Sequence, residues 1–248
     1  MLRDDQLDRY ARHIVLREIG GGGQRRLLGA RVAVVGAGGI GSPLLQYLAA
    51  AGVGRISLFD DDTVSLSNLQ RQTIYATADT GVAKVAAAAA FVARMTPDVV
   101  VEGHALRLDA GNAATLLAGH DAIVDGCDNF ATRLAVGDTA LALRIPLVSA
   151  AVGPFEGQLA VYRGWEAGRP CYRCFVGDDP ARDEASCADQ GVLGALTGVV
   201  GSLAALETIR QIVPFGEDAA GKLLLIDALS LRFRTLRLPK DPACRCAG

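Results

Sequence analysis

Arg31-Val-Ala-Val-Val-Gly-Ala-Gly-Gly-Ile-Gly41 is an apolar, β-branched run that closes in a glycine cluster. Val32 to Val35 read as a strand buried on both faces, the pattern of a parallel sheet. Gly36, Gly38 and Gly41 give the spacing G-x-G-x-x-G with Gly39 inside it, and Leu44, Leu45, Tyr47 and Leu48 follow as a helical pattern. Glycine suits such a turn because the bend is tight and the backbone approaches a ligand closely. The free N–H groups that open the next helix then face an anion. A second strand, Arg55 to Phe59, ends in Asp60, placed to accept a hydrogen bond from a ribose hydroxyl. Strand, turn, helix and acid together point to nucleotide binding.

Composition narrows the class. Of the 248 residues, 50% are hydrophobic and 21% charged, which suits an α/β protein with a large buried sheet. The length fits one domain over 1–248. We divide it into an N-terminal helical arm (1–28), a nucleotide-binding core (29–162) and a C-terminal part (163–248), with no repeat or low-complexity linker between them. The net charge of −2 gives no electrostatic argument for a nucleic-acid partner. Met1 to Arg12 is polar and charged, unlike a signal peptide. The most apolar stretch, Gly191 to Leu206, is glycine-rich and runs into Glu207 and Arg210, as a core helix does and a membrane span does not. A cytoplasmic location is expected, with the six cysteines serving as ligands or reactive thiols rather than disulfides.

Residues 4–20 read as one amphipathic helix, with Leu7, Tyr10, Ile14 and Val15 on one face and Arg9, Arg12, His13 and Arg17 as its polar residues. Gly20 to Gly23 is expected to break it. After the second strand, Asp60-Asp-Asp62 sets adjacent carboxylates side by side, which repel unless a ribose, a cation or a helix N-terminus receives them. In Ser67-Asn68-Leu69-Gln70-Arg71-Gln72, the polar side chains offer hydrogen bonds and Arg71 a fixed positive fork; a plain surface loop accounts for the same residues. Lys84 precedes an alanine-rich helix stopped by Pro97. Strands follow at 99–105, 122–124, 146–152 and 157–162, the second of these leading into Asp125-Gly-Cys-Asp-Asn129. Ligands gather beyond the carboxyl ends of parallel strands, which brings Asp128 and Asn129 near the glycine turn. Alternatively, Asp128 is the N-cap of the next helix. Residues 163–190 read as loop, Gly194 to Val213 as a helix, and Leu223 to Ile226 with Leu231 to Leu238 as a hairpin. The architecture expected is α/β: a Rossmann-like doubly wound sheet, mostly parallel, extended by a C-terminal antiparallel hairpin and clipped by four cysteines.

Cys171 and Cys174 form a C-x-x-C knuckle, from which one tight turn presents two thiolates to a tetrahedral ion. Cys244 and Cys246 supply a second, shorter C-x-C pair. Thiolates without iron-type spacing favour a structural Zn²⁺ pinning the tail to the loop. A redox pair or idle tail cysteines are the alternatives; a thioredoxin-like pair opens a helix after an early strand, which is not expected here. Around the crevice, Arg71, Lys84 and Asp128 provide two cations and a metal-seeking carboxylate, a set better matched to a triphosphate with Mg²⁺ than to a nicotinamide dinucleotide. His13, His104 and His120 lie in no dehydrogenase motif. ATP is favoured, with an NAD-dependent oxidoreductase and a non-catalytic nucleotide sensor as the other readings.

Gly36-Ala-Gly-Gly-Ile-Gly41, Ala50-Ala-Gly-Val-Gly54, Asp60-x-Asp62 and Ser67-Asn-Leu-Gln-Arg-Gln72 together resemble the MoeB/ThiF/HesA family, bacterial relatives of ubiquitin-activating enzymes. Lys84, Asp128-Asn129, Cys171-x-x-Cys174 and Cys187 extend the resemblance over nearly the whole chain, from Arg9-Tyr10 to the terminal cysteines. It implies ATP-dependent adenylation of the C-terminal glycine of a ubiquitin-like sulfur-carrier protein ending in Gly-Gly, of the MoaD or ThiS type. The product would serve molybdopterin or thiamine-thiazole biosynthesis, with a sulfurtransferase or cysteine desulfurase as a further partner. By the same resemblance Asp60 holds the ribose, Arg71 and Lys84 neutralise phosphates, Asp128 holds Mg²⁺ and Asn129 supports the crevice. Arg12 reaches the ATP of a neighbouring subunit, which requires a homodimer. Cys187 is either the cysteine that becomes linked to the carrier or an uninvolved loop thiol. Asp183, Glu184 and Asp189 nearby raise its pKa, whereas Arg182 pulls the other way. A related branch activates a modified tRNA base; the absence of a basic surface argues against it.

Overall fold

In a computed structural model describing residues 1–177 and 191–247, the strand-turn-helix around Gly36 lies in the middle of an eight-stranded sheet. β1 (Arg31–Val35) runs parallel between β2 (Arg55–Phe59) and β4 (Ala122–Asp125). β3 (Val100–His104) flanks β2, and β5 (Leu147–Val152) flanks β4, again in parallel. β6 (Glu156–Tyr162), β7 (Lys222–Asp227) and β8 (Arg232–Arg237) then extend the same sheet antiparallel. The strand order is 3-2-1-4-5-6-7-8. The chain winds outward from β1 to β3 and crosses back to β4, so a crevice opens between β1 and β4 where the winding reverses.

Side-chain alternation divides two cores across the sheet. Val32 and Val34 face the side covered by α4 (Gly41–Ala50), α5 (Lys84–Met95) and α9 (Gly194–Ile212). Ala33 and Val35 face the side covered by α6 (Ala113–Leu117), α7 (Phe130–Leu143) and α8 (Tyr172–Val176). Because both faces are covered, β1 shows no apolar–polar alternation; only Arg31 at its start is exposed. Among the described residues no helix is long and apolar enough to cross a membrane.

The N-terminal arm departs from expectation. The stretch 4–20 is broken into α1 (Asp4–Arg9) and α2 (Ala11–Ile14), and the glycine run opens α3 (Gly20–Gly29) rather than ending a helix. Glycine is a poor helix former, but a Cβ on Gly23 would stand 2.9 Å from Val213 at the end of α9, so close packing takes precedence over propensity here. The segment 163–190, expected as loop, contains α8.

The arm is held by one carboxylate. Asp98 accepts hydrogen bonds from Arg3 Nη2 (2.6 Å), Gln6 Nε2 (2.9 Å) and the Tyr10 hydroxyl (3.0 Å). Burial alone would raise the Asp98 carboxyl; these donors outweigh it and hold the group below its usual range. Burial, then the bond to Asp98, pushes the Tyr10 phenol up to about 12. A depressed carboxylate stabilises the folded state above its unfolded pKa and loses that contribution as pH falls through the folded value. A raised phenol stabilises below its unfolded pKa and loses that contribution as pH climbs towards the folded one. Hydrogen exchange should therefore accelerate in residues 4–14 below about pH 4 and above about pH 10 while β1 stays protected. Uniform exchange across both segments would remove Asp98 as the latch.

Candidate nucleotide site and metal clip

A cavity of about 520 Å³ opens at the carboxyl ends of β1, β2 and β4. Its floor is the glycine turn. Gly36 has φ +94°, and a Cβ there would lie 3.1 Å from the Cys127 nitrogen. A Cβ on Gly41 would lie 2.2 Å from the Gly36 carbonyl oxygen. Neither position admits another residue without moving the backbone. Asp60 accepts from the Ala37 N–H (2.7 Å) and the Asp62 N–H (3.0 Å), so one carboxylate fixes the loop at both sides. Burial raises the Asp60 carboxyl, opposed by Lys84 and these two N–H groups. The Tyr75 hydroxyl donates to the Ala37 carbonyl (2.9 Å) and closes the turn from below.

Lys84 sits in the first turn of α5, where the helix dipole opposes a cation. Its ammonium is buried and held by Asp62 (2.7 Å) and Asp60 (3.9 Å). Arg71 follows a short 3₁₀ turn, Leu66–Asn68, and donates to the Ser67 carbonyl (3.3 Å) while lining the cavity. α9 supports this loop from behind. The Thr197 hydroxyl lies 3.5 Å from the Arg71 carbonyl, and a Cβ on Gly194 would lie 2.3 Å from the Gln70 carbonyl. Asp128 is exposed at the rim, and Asn129 rather than Asp128 caps α7, accepting from the Thr132 N–H (2.8 Å).

The structure thus brings Gly36, Gly38, Gly39, Asp60, Asp62, Asn68, Arg71, Lys84, Asp128 and Asn129 to one cavity. Gly41 lies beneath it in α4; Ser67, Leu69 and Gln70 belong to the supporting loop without lining it. Arg12, exposed on α2, does not line this cavity, and Cys187 lies outside the described residues. Sequence reading missed Arg107, Arg133 and Thr197 on the wall. Arg107 pairs with Asp61 (3.2 Å), a partner that the three adjacent aspartates called for. The buried Arg133 gave no signal beyond its place four residues after a helix cap.

The second feature is the clip. Cys171, Cys174, Cys244 and Cys246 present sulfurs within 4.8 Å of one another, with separations of 3.8, 3.4 and 3.4 Å along the chain of contacts. A tetrahedral ion with metal–sulfur bonds of about 2.3 Å sets its ligands about 3.8 Å apart, so the shorter C-x-C pair fits. Cys171 is the N-cap of α8, so the knuckle does open a helix, contrary to the sequence reading; the second thiol pair within reach distinguishes it from a redox site. Each pair carries an arginine, and both arginines meet Asp138 of α7: Arg173 at 2.6 and 2.8 Å, Arg245 at 3.6 Å.

Comparison with known proteins gives a consistent result. The family profile described as "ThiF family" matches residues 10–246. The chain is 45% identical over 244 residues to the SAMP-activating enzyme E1 of Haloferax volcanii, covering 98% of this chain and 89% of that one. It is 45% identical over 249 residues to the sulfur carrier protein adenylyltransferase of Thermus thermophilus, covering 98% and 92%. It is 40% identical over 250 residues to the molybdopterin-synthase adenylyltransferase of Escherichia coli, covering 100% and 98%. It spans only about half (55%) of the adenylyltransferase and sulfurtransferase MOCS3 of Anopheles gambiae. Among solved structures, E. coli MccB with ATP superposes with a TM-score of 0.84 at 22% identity, over 97% of this chain and 75% of that one, a likeness of fold.

Proposed function

Since the chain belongs to the ThiF family, we propose that it is an ATP-dependent adenylyltransferase acting on the C-terminal glycine of a ubiquitin-like sulfur-carrier protein. One observation carries the reading: Arg71, Lys84 and Asp128, distant in sequence, converge with the glycine turn on a single cavity. Three relatives spanning almost the whole chain have names describing activation or adenylation, two of them naming a sulfur carrier or molybdopterin synthase.

The carrier's terminal carboxylate is ionised at neutral pH and needs no general base. It attacks the α-phosphorus of ATP, forming the acyl-adenylate as the bond to pyrophosphate breaks. The protein's task is alignment and charge neutralisation as negative charge spreads over the phosphate oxygens. The open N–H groups of the glycine turn and the cations of Arg71 and Lys84 supply that charge. Asp60 and Asp62 face the ribose, and Asn129 holds the start of α7. The exposed Asp128 carboxylate at the rim is a hard oxygen donor of the kind Mg²⁺ takes, and the ion would add positive charge beside the phosphates. The four sulfurs of the clip fit Zn²⁺ in a structural role. We also assign Arg12 to the ATP of a second subunit in a cytoplasmic homodimer, and treat 1–248 as one unit. Cys187 serves a later sulfur-transfer step.

Carrier-dependent exchange of labelled pyrophosphate into ATP tests this. A panel of carriers ending in Gly-Gly, of MoaD and ThiS type, should include one that supports exchange; exchange with a free small acid and with no carrier overturns the protein-substrate reading. Cys187→Ala should retain exchange, because adenylation precedes any thiol chemistry. Loss of exchange in that variant would place Cys187 in the first step.

A further inference from the structure

β4 and β5 pair from Ile123↔Leu147 to Asp125↔Ser149, and the described ladder ends there. β4 ends at Asp125 while β5 runs on to Val152, and the fork left between the end of β4 and β5 opens on the cavity, which Cys127, Asp128, Ala151 and Val152 line. Past the Asp125↔Ser149 pair no further ladder bonds join β4 to β5 among the described residues. The guanidinium of Arg133, from the first turns of α7, bridges the two sides instead. It donates to the Cys127 carbonyl on the β4 side and to the Ala150 carbonyl (2.8 Å) on the β5 side. It also reaches the Ser149 hydroxyl (3.4 Å) and pairs with Asp125 (3.3 Å), whose side chain is 1% exposed. Asp125 in turn accepts from the Cys127 N–H (3.1 Å), so both polar groups of the Cys127 main chain are fixed. On the opposite side the Gly126 N–H bonds to the Val35 carbonyl (3.0 Å), which joins this turn to the start of the glycine turn.

A buried ion pair is a weak source of stability, since desolvation offsets its attraction, and an apolar pair of similar size often serves the fold as well. Arginine is suited to more: its planar fork directs several donors at fixed angles, which an ammonium does not. We propose that Arg133 is a positioning residue that bridges the fork between β4 and β5 and thereby sets where Asp128 stands in the cavity. The proposal rests on the adenylation reading for its kinetic consequence and on the geometry alone for its effect on Asp128.

Arg133→Lys keeps the charge opposite Asp125 and loses the fork. Its kcat for pyrophosphate exchange should fall on the order of 100-fold, with the KM for ATP changed less than about threefold. A double-mutant cycle separates positioning from general damage: in an Asp128→Ala background the same change should cost less than about twofold further. A parallel cycle reads Mn²⁺ binding in the presence of ATP by electron paramagnetic resonance, without turnover. There Arg133→Lys should weaken Mn²⁺ retention only when Asp128 is present. Losses that multiply independently in either cycle overturn the proposal. Should Arg133→Lys fail to fold, Asp125→Leu with Arg133→Met removes both charges together; wild-type kcat in that protein also overturns it. If the unaltered protein shows no exchange with any carrier, the adenylation reading falls, and the Mn²⁺ cycle still decides the role of Arg133.

Discussion

Cys174→Ser should empty the clip of metal, taking the content from about one ion per chain to a small fraction of that. The melting temperature should fall by roughly 10 °C. The size follows from what the site joins. Structural zinc sites contribute folding free energy outright, on the order of 10 kcal/mol in small zinc domains. Here the sheet and two cores fold around the site, so only part of that figure is at stake. A loss of about 3–5 kcal/mol translates into a shift of this order for a chain of this length. Cys174 lies 3.8 Å from Cys171 and 3.4 Å from Cys246, so its sulfur touches both pairs, and serine leaves Cys171, 3.4 Å from Cys244, as the one sulfur of the knuckle against the C-x-C pair. Metal analysis by mass spectrometry and differential scanning calorimetry read the two effects. Unchanged metal content would make the cluster a packed set of thiols.

Arg71→Ala should lower the rate of carrier-dependent pyrophosphate exchange roughly 10²–10³-fold, the range seen when one preorganised donor to a developing charge is removed. The fold should survive. Among the described residues Arg71 makes one side-chain bond, at 3.3 Å to a carbonyl of its own loop, and α9 braces that loop through main-chain contacts that alanine retains. Lys84→Ala is a poorer experiment, because the buried ammonium also lies 2.7 Å from Asp62 and 3.9 Å from Asp60, so its loss disturbs the loop as well as the charge offered to the phosphates. Initial-rate exchange kinetics with a melting curve as control separates the effects. Full activity with intact stability would remove Arg71 from the transition state.

The centre of the fold was legible because its constraints are local. A strand buried on both faces reads as an unbroken apolar run, and Gly36 and Gly41 are required by contacts within a few residues. Arg71, Lys84 and Asp128 were legible as types, and the rule that ligands gather beyond the carboxyl ends of parallel strands brought Asp128 to the glycine turn. What failed depended on distant partners. Gly20 to Gly23 carries the signal of a break, and of the four only Gly23 is explained by a distant partner, Val213, nearly two hundred residues away. α8 is five residues long, shorter than any period that would announce it. Arg107 and Arg133 are single arginines whose meaning lies in Asp61 and in a fork between strands. Asn129, not its acidic neighbour, caps α7, a distinction that adjacent capping types cannot make by themselves.

α7 begins beside Asp128, and its middle supports the thiolate cluster: a Cβ on Gly137 would come 2.9 Å from that of Tyr172, Asp138 receives both arginines, and Leu141 lies against the cysteines. On the proposed metal assignments, a chelating buffer would act on this protein in two phases. The first is immediate and reversed by excess magnesium, as the ion beside the nucleotide is withdrawn. The second is slow, as the deeper thiolate-bound ion leaves and the helix loses its seat; magnesium would not undo it. With Mg²⁺ at Asp128 and Zn²⁺ at the clip, as proposed above, activity lost to chelator should return fully at short incubation and only after zinc is restored at long incubation.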